Sequence, residues 1–279
     1  NYIRAYGLSK EGGIKQQVML GMVQTADGLP LYHEIFEGNT AEVVTLKPTI
    51  EKIIKRFPVT RIIVVADRGL LSIDNLDELK GITLPSGQPL EFILAVPGRR
   101  YKDFKDLLTP LHNELLDAAK QEVITETRWQ KLRLVVAHNP DTAKTQQLAR
   151  QEKIELLEKE ARKLTLKLDT QDEGAKKPGR KLSDNGASAK FYKKVCEARL
   201  SKVIKVDMKS HLFCYDIDHD ALQQACLMDG KLLLVTNVVD LSSTEIVARY
   251  KSLADIERGF RVLKSDIKIG PIYHRLPKR

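Results

Sequence analysis

The sequence predicts a mixed α/β fold, because a β-hairpin, an amphipathic helix and a buried strand follow one another near its beginning. Residues 16–25 and 29–36 are apolar, β-prone runs, and the Asp-Gly turn at 26–28 between them is a strong hairpin signal. A helical pattern spans 44–57, and residues 61–66 form an apolar run typical of a central parallel strand. Hairpin, helix and buried strand in that order indicate a mixed sheet.

The remaining elements follow from local patterns. Apolar residues between 44 and 57 return at three- and four-residue steps, and Pro58 is expected to end that helix. The elements predicted after the buried strand are a short helix at 73–79, a strand at 92–96, a helix at 104–119, strands at 128–137, 212–217 and 231–236, and a long helix from about Ser243 to Ser265.

The middle of the chain predicts a helical hairpin. Apolar residues of the first arm step by 3, 4, 3 and 4 over about two heptads, which is too short for a coiled coil: Ile154, Leu157, Ala161, Leu164 and Leu168. The second arm is predicted at 190–203, with Phe191 and Val195 facing back. The stretch 170–188 between the arms is interpreted as a flexible basic linker, either simply solvated or in contact with a polyanion.

Composition excludes several classes of protein. With 279 residues, of which 42% are hydrophobic and 30% charged, the chain has enough apolar material for a folded core. We expect neither a membrane span nor secretion, since no apolar run approaches roughly 18 residues and no cleavable leader pattern is present. Cys196, Cys214 and Cys226 show no CxxC spacing, which disfavours a disulfide framework or a zinc knuckle and favours a reducing cytosol.

The charge balance suits a polyanionic partner. Lys and Arg number 46 against 37 Asp and Glu, a net charge of +9. Residues 249–279 hold nine basic and three acidic residues, so much of the excess lies there. Such a local basic surface is the footprint expected for phosphate contacts, and a solvated basic tail is the alternative interpretation.

Asp67 is the first candidate for chemistry. It follows five apolar residues, so we expect it at the carboxyl end of a buried strand, where open α/β sheets place their active sites. A carboxylate there can ligate a hard cation such as Mg²⁺. The alternative is a cap for the turn that follows.

The predicted C-terminal helix carries a second carboxylate. Its apolar stripe comprises Leu253, Ile256, Phe260, Leu263 and Ile267. Tyr250, Glu257 and Lys264 are spaced seven apart and therefore stack along one line beside that stripe, with Arg261 close to the line. A glutamate flanked by cations suits a site that also holds a polyanion, although a surface row of salt bridges gives the same pattern.

The segment from Tyr250 to Ser265 resembles the signature helix of bacterial insertion-sequence DDE transposases of the IS-four group. In that family the helix carries Tyr, two residues, Arg, three residues, Glu, six residues and Lys. Tyr250, Glu257 and Lys264 match in type and spacing, whereas Leu253 occupies the Arg position. Four other blocks are similar to segments of the family: 6–10, 36–40, 64–69 with Asp67, and 270–274, which ends at His274.

The resemblance implies an RNase H-like mixed sheet core interrupted by a mostly helical insertion domain. The predicted division is 1–98 and 229–279 for the core and 99–228 for the insertion. The family's first Asp is expected upstream of Asn1, because Asp27 lies in the hairpin turn. The chain starts without Met and ends just after a patterned segment, so we expect a fragment truncated at both ends and inactive by itself.

The resemblance also implies the site. Asp67 and Glu257 are the expected catalytic residues and ligands of Mg²⁺, with Mn²⁺ as a substitute. Tyr250, Lys264, Arg261 and Arg258 are the expected DNA contacts, Arg261 being our addition from the helix geometry. The expected partner is double-stranded DNA, as terminal inverted repeats and target, bound by a homodimer on paired ends. The expected location is the bacterial cytoplasm, in association with the nucleoid.

Other interpretations remain open at this point. A degenerate remnant with nonspecific DNA binding is one, and a helical interaction module centred on 140–205 is another. The acidic run at Asp216, Asp218 and Asp220 looks like a metal cluster, but Ala221 and Leu227 stand where an EF-hand loop needs Gly and Glu.

Overall fold

A computed structural model describes residues 4–8, 13–25, 29–40, 42–57, 60–66, 76–117, 121–174, 181–255, 257–258 and 261. The strands are β1 (Ala5–Leu8), β2 (Ile14–Gln24), β3 (Pro30–Glu37), β4 (Ile63–Ala66), β5 (Glu91–Ala95), β6 (Val123–Trp129), β7 (Leu132–His138), β8 (Ile204–Val206), β9 (Tyr215–Ile217) and β10 (Lys231–Thr236). The helices are α1 (Glu42–Arg56), α2 (Leu76–Lys80), a 3₁₀ helix (Gly98–Phe104), α3 (Lys105–Asp117), α4 (Pro140–Asp172), α5 (Asp184–Glu197), α6 (His219–Met228) and α7 (Ser243–Lys251).

The chain divides into two compact units. One, the sheet unit, comprises Asn1–Tyr101, Ile124–Ala137 and Leu232–Arg279. The other, the helical unit, comprises Lys102–Val123 and His138–Lys231. All but the first residue of β6 and the last residue of β7 thus belong to the sheet unit, although they lie inside the predicted insertion of 99–228.

The five-stranded sheet of the sheet unit has the order β4-β5-β10-β7-β6. Strand β4 is parallel to β5, and β10 is antiparallel to β5, so the predicted mixed α/β class is confirmed. The expectation that β4 is central is wrong, since β4 is the terminal strand of this sheet among the described residues. Its apolar side chains are accounted for by packing, because Ile63 and Val65 lie against the buried core cluster that α7 completes.

The predicted hairpin is confirmed as β2 and β3, which pair from Val18 opposite Glu37 to Gln24 opposite Pro30. With β1 they form a separate three-stranded sheet. Gly38 follows β3 and approaches β2 so closely that a Cβ at this position would lie 2.0 Å from the carbonyl oxygen of Gln17. Because of this close approach, only glycine fits at position 38. The side chain of Gln17 also donates to the Gly38 carbonyl, at 2.8 Å.

Three predicted boundaries are wrong. The strand expected at 128–137 is two strands, β6 and β7, joined by a turn in which Gln130 has φ of 55°. The linker expected at 170–188 is shorter, because α4 continues to Asp172 and the side chain of Ser183 caps α5. The long C-terminal helix is interrupted, since α7 ends at Lys251, although the backbone is helical again at 253–255.

The predicted helical hairpin is confirmed in the helical unit. The seam residues Ile154, Leu157 and Ala161 of α4 form one buried cluster with Phe191 and Val195 of α5. Strands β8 and β9 cover this cluster, and β8 was not predicted. The packing energy of such a seam comes from removing apolar area from water, about 25 cal/mol for each Å².

The two ends of the long insertion between β7 and β10 are joined to each other. The backbone N–H of Asn139 donates to the carbonyl of Gly230 at 2.9 Å, and the side chain of Gln146 accepts from the Gly230 N–H. Gly230 has φ of 66°, and a Cβ there would lie 2.4 Å from the Asn139 carbonyl oxygen. Glycine is therefore required where the segment closes.

None of the helices in the described part of the chain is long and apolar enough to cross a membrane.

Candidate active site

Strand β4 leads directly to the first predicted ligand. It pairs in parallel with β5 from Ile63 opposite Glu91 to Ala66 opposite Leu94. Ala66, its last residue, is buried. Asp67 comes next in the chain and lies outside the described residues. The structure therefore describes the strand that leads to this residue.

The loop between β10 and α7 is held at the edge where β4 begins. The guanidinium of Arg61 donates to both carboxylate oxygens of Asp240, at 2.7 and 2.6 Å, and also to Glu91. These bonds, first the one to Asp240 and then the one to Glu91, raise the pKa of Arg61, and Arg61 lowers the pKa of Asp240. Because Arg61 precedes β4 and Glu91 begins β5, α7 starts at the amino-terminal edge of this parallel pair.

A second arginine holds the same loop. Arg133 on β7 donates to the carbonyls of Val238 and Leu241, each at 2.8 Å. It also pairs with Glu126, which accepts a hydrogen bond from the Ser243 hydroxyl. The Ser243 bond, followed by that from Arg133, lowers the pKa of Glu126.

Helix α7 is well initiated and lies on the sheet. Ser242 and Glu245 form a complete capping box, and the Ser242 hydrogen bonds lower the pKa of Glu245. Ile246 and Val247 are buried in a cluster with residues of the central strands, and the helix packs against both β4 and β5. Since α7 begins at their amino-terminal edge, it runs toward the edge where β4 ends.

The predicted residues of the C-terminal helix have different environments. The ring of Tyr250 is half-buried and packs against the core cluster, so it anchors α7 to the sheet. Glu257, Arg258 and Arg261 are exposed, and Arg258 lies 3.3 Å from the carboxylate of Asp255. Lys264 and His274 lie outside the described residues.

Sequence reasoning missed the residues that position α7. Arg61 and Asp240 are 179 positions apart, and no periodicity or spacing connects them. Asn237 belongs to the same group, because its side chain accepts from the Phe92 N–H at 2.8 Å and donates to the Leu90 carbonyl at 3.0 Å. The one available signal was the cluster of polar residues between β10 and the predicted helix.

The donor chemistry of the predicted ligands suits a hard divalent cation, since Glu257 presents an exposed carboxylate and such cations prefer oxygen. Among the described residues, however, no group of three or more His, Cys, Asp or Glu side chains can hold a metal ion. A site that includes Asp67 extends beyond those residues.

The acidic run that resembles a metal cluster has a structural role. Asp218 is the N-cap of α6 and accepts from the Ala221 N–H at 2.9 Å. The carboxylate of Asp216 accepts from the neighbouring Ile217 N–H at 2.8 Å, and Asp220 lies in the first turn of α6, where negative charge is favourable. Asp218 and Asp220 thus stabilise the start of α6, and Asp216 makes a local bond in β9.

Comparison with protein families gives one match. The family model described as "Transposase DDE domain" matches residues 4–277. Neither the curated proteins nor the solved structures include a significant match.

Proposed function

The chain belongs to the transposase DDE domain family, and from that premise we propose that it is the catalytic domain of an insertion-sequence transposase of the IS-four group. Membership of the family implies DNA cleavage and strand transfer in transposition, dependent on divalent metal ions. The finer proposal is an RNase H-like core, interrupted by the helical unit, with Asp67 and Glu257 as its catalytic carboxylates. Terminal inverted repeats and target DNA are the proposed substrates of a homodimer.

The observation that carries this proposal is the path of α7. Helix α7 advances about 14 Å from Ser242 to Lys251, the backbone is helical again at 253–255 and 257–258, and a strand from Arg61 to Ala66 advances about 17 Å. Both segments start at the edge where Arg61 binds Asp240. We infer that the chain continues in this direction beyond Lys251 and brings Glu257 to the edge at which β4 leads into Asp67.

In the proposed site, Asp67 and Glu257 would hold Mg²⁺, for which Mn²⁺ can substitute. A divalent ion held there would supply positive charge for the oxygens of the phosphate group that reacts. The chain's own contribution is positional. Arg61 and Arg133 fix the loop before α7, Tyr250 anchors the helix, and the capping box sets its first turn. Arg258, Arg261 and Lys264 supply positive charge beside Glu257 for DNA phosphates.

The test is substitution of Glu257 in the full-length protein. Glu257→Gln keeps the shape of the side chain and removes its charge, so we expect Mg²⁺-dependent nicking of supercoiled plasmid to fall at least about 100-fold. We expect DNA affinity to change less than about twofold. Mn²⁺ binding, measured by electron paramagnetic resonance of the free ion, should weaken as well.

Glu152→Gln, which neutralises an exposed glutamate of α4, is the matched control and should leave nicking and Mn²⁺ binding unchanged. Wild-type nicking by Glu257→Gln would contradict the assignment of this carboxylate. DNA binding without any metal-dependent cleavage by the wild-type protein would instead indicate a non-catalytic remnant.

A further inference from the structure

The two arms of the helical hairpin differ in charge. Helix α4 has seven basic and seven acidic residues, and its charges balance. Residues 181–209 have eight basic and three acidic residues. They comprise the three residues before α5, α5 itself and the chain after it as far as Lys209. We call this second segment the basic arm. The excess of positive charge in the helical unit is therefore concentrated on one side of the hairpin.

The cations of the basic arm are on the surface because apolar neighbours occupy the buried face. Phe191 and Val195 are fully buried in the hairpin cluster, which leaves the intervening lysines of α5 outside it. After α5, Leu200 and Val203 are buried and Lys202 between them is exposed. The exposed cations of the arm are Lys181, Lys190, Lys193, Lys194, Arg199, Lys202, Lys205 and Lys209.

Most of these cations lack a carboxylate partner. Lys194 is bound to Glu160 of α4, and Lys193 lies 3.9 Å from Glu197. Lys190, Lys202 and Lys205 form no ion pair with any residue in the part of the chain that the structure describes, and the same holds for Lys181, Arg199 and Lys209. Cations that make no internal pair contribute little to folding and keep their charge available to a ligand.

The spacing of the lysines suits a ligand with repeated negative charges. Lys190 and Lys193 line the same groove, about 270 Å³ in volume, between α4 and α5, where three lysines outnumber the glutamates Glu160 and Glu197. Further along the arm, Arg199, Lys202 and Lys205 are exposed cations three residues apart. A single small anion would use one or two of them, whereas a nucleic-acid backbone offers a phosphate for each.

We propose that the basic arm binds the phosphate backbone of double-stranded DNA, in addition to the residues proposed for the sheet unit. This inference rests on the proposed function, because that function makes DNA the polyanion that the chain meets. Contacts of this kind raise affinity regardless of base sequence and position the DNA without reading it. The helical unit thereby contributes DNA binding, and the sheet unit contributes the chemistry.

The experiment compares two triple variants of the full-length protein. Lys190→Gln, Lys202→Gln and Lys205→Gln together remove three charges from the basic arm. Lys144→Gln, Lys153→Gln and Lys159→Gln together remove the same charge from exposed positions of the balanced α4 arm. Affinity for a fluorescein-labelled duplex of random sequence is measured at several NaCl concentrations.

We expect the basic-arm variant to bind about tenfold or more weakly, with the slope of log K against log[salt] smaller in magnitude by about 3, one for each phosphate that the variant no longer binds. The α4 variant should lose less than about twofold. A third variant with arginine at positions 190, 202 and 205 should retain wild-type affinity. Each single substitution is measured as well, with thermal unfolding as the check that the variant is folded.

Three outcomes would overturn the inference. Equal losses in the two triple variants would mean that net charge alone matters, and unchanged binding by the basic-arm variant would mean that these lysines do not contact DNA. Tighter binding of an RNA duplex of the same sequence would assign the arm to another polymer. The proposed function survives all three if Glu257→Gln still abolishes nicking, whereas failure of the wild-type protein to bind DNA would reject both.

Discussion

The two arginines that hold the loop before α7 differ from several lysines of the basic arm in how their charge is used. In the sheet unit, Arg61 and Arg133 are bound to carboxylates and carbonyls that hold the loop before α7. In the helical unit, Lys190 and Lys202 of the basic arm make no ion pair with the described residues, whereas Lys193 and Lys194 of the same arm are paired. A cation that is paired within the protein contributes to folding and has little capacity left to bind a ligand. An unpaired cation contributes little to folding, and its charge remains available to a ligand. Pairing therefore locates a candidate DNA surface better than net charge does.

Lys231 is a cation of the helical unit that is buried, so it differs from the exposed lysines of the basic arm. Its Nζ lies 3.2 Å from Nδ1 of His112, and desolvation, partly offset by Asp229, lowers its pKa to about 8. An unfolded lysine keeps a pKa near 10.5. Between pH 8 and 10.5 the folded protein therefore binds fewer protons, and the free energy of unfolding should rise with pH, by up to about 3 kcal/mol.

Urea unfolding at pH 7.5 and pH 10 measures this effect. Lys231→Met should be more stable than the wild type at pH 7.5 and should lack most of the rise, because no charge is then buried. Lys202→Met, at an exposed position, should keep the wild-type pH dependence. A rise that persists in Lys231→Met would show that other groups cause it.

Removal of Arg133 tests the structural use of cations in the sheet unit. Arg133→Ala leaves the carbonyls of Val238 and Leu241 without their donor, so we expect a loss of about 1–3 kcal/mol in the free energy of unfolding. Arg128→Ala, at an exposed position of neighbouring β6, should change it by less than about 0.5 kcal/mol. If chemical denaturation shows equal losses for Arg133→Ala and Arg128→Ala, the paired Arg133 has no special role in stability.

The smallest expected effect comes from the acid that neutralises part of the basic arm. Glu160 accepts from Lys194 and Lys163, and these bonds, first that of Lys194, lower its pKa to about 2. The pairs are largely exposed and screened by solvent, so Glu160→Gln should leave stability almost unchanged. It frees two lysines, and DNA affinity should therefore rise about twofold. A fall in affinity would argue against DNA binding along this groove.

The sequence predicted elements whose pattern is local. The seam from Ile154 to Leu168 identified α4 because helical periodicity is set by neighbouring residues. The turn at Gln130 was missed because it carries no Gly, Asn or Asp, and its positive φ is imposed by the pairing of β6 with β7. The interruption at Ser252 was missed because the apolar stripe continues past it.

The candidate site was less accessible to sequence reasoning. Tyr250 and Glu257 were found through a spacing of seven, which is a local signal, and the DNA contact of Tyr250 and the catalytic role of Glu257 remain predictions. The contacts that fix the helix before them join Arg61 to Asp240 and Asn237 to Leu90. Such contacts depend on which strands become neighbours, and that order cannot be inferred from hydrophobic periodicity.

The hydrogen bond between Asn139 and Gly230 has a consequence for how the protein is made. Strands β7 and β10 are neighbours in the sheet, yet the ribosome synthesises the whole stretch 139–230 between them. A long open loop imposes an entropic cost on their pairing, and an insertion that has already folded and joined its own ends removes most of that cost. Folding of the inserted segment on the nascent chain would thus deliver β10 to its place, and completion of the sheet would follow the order of translation.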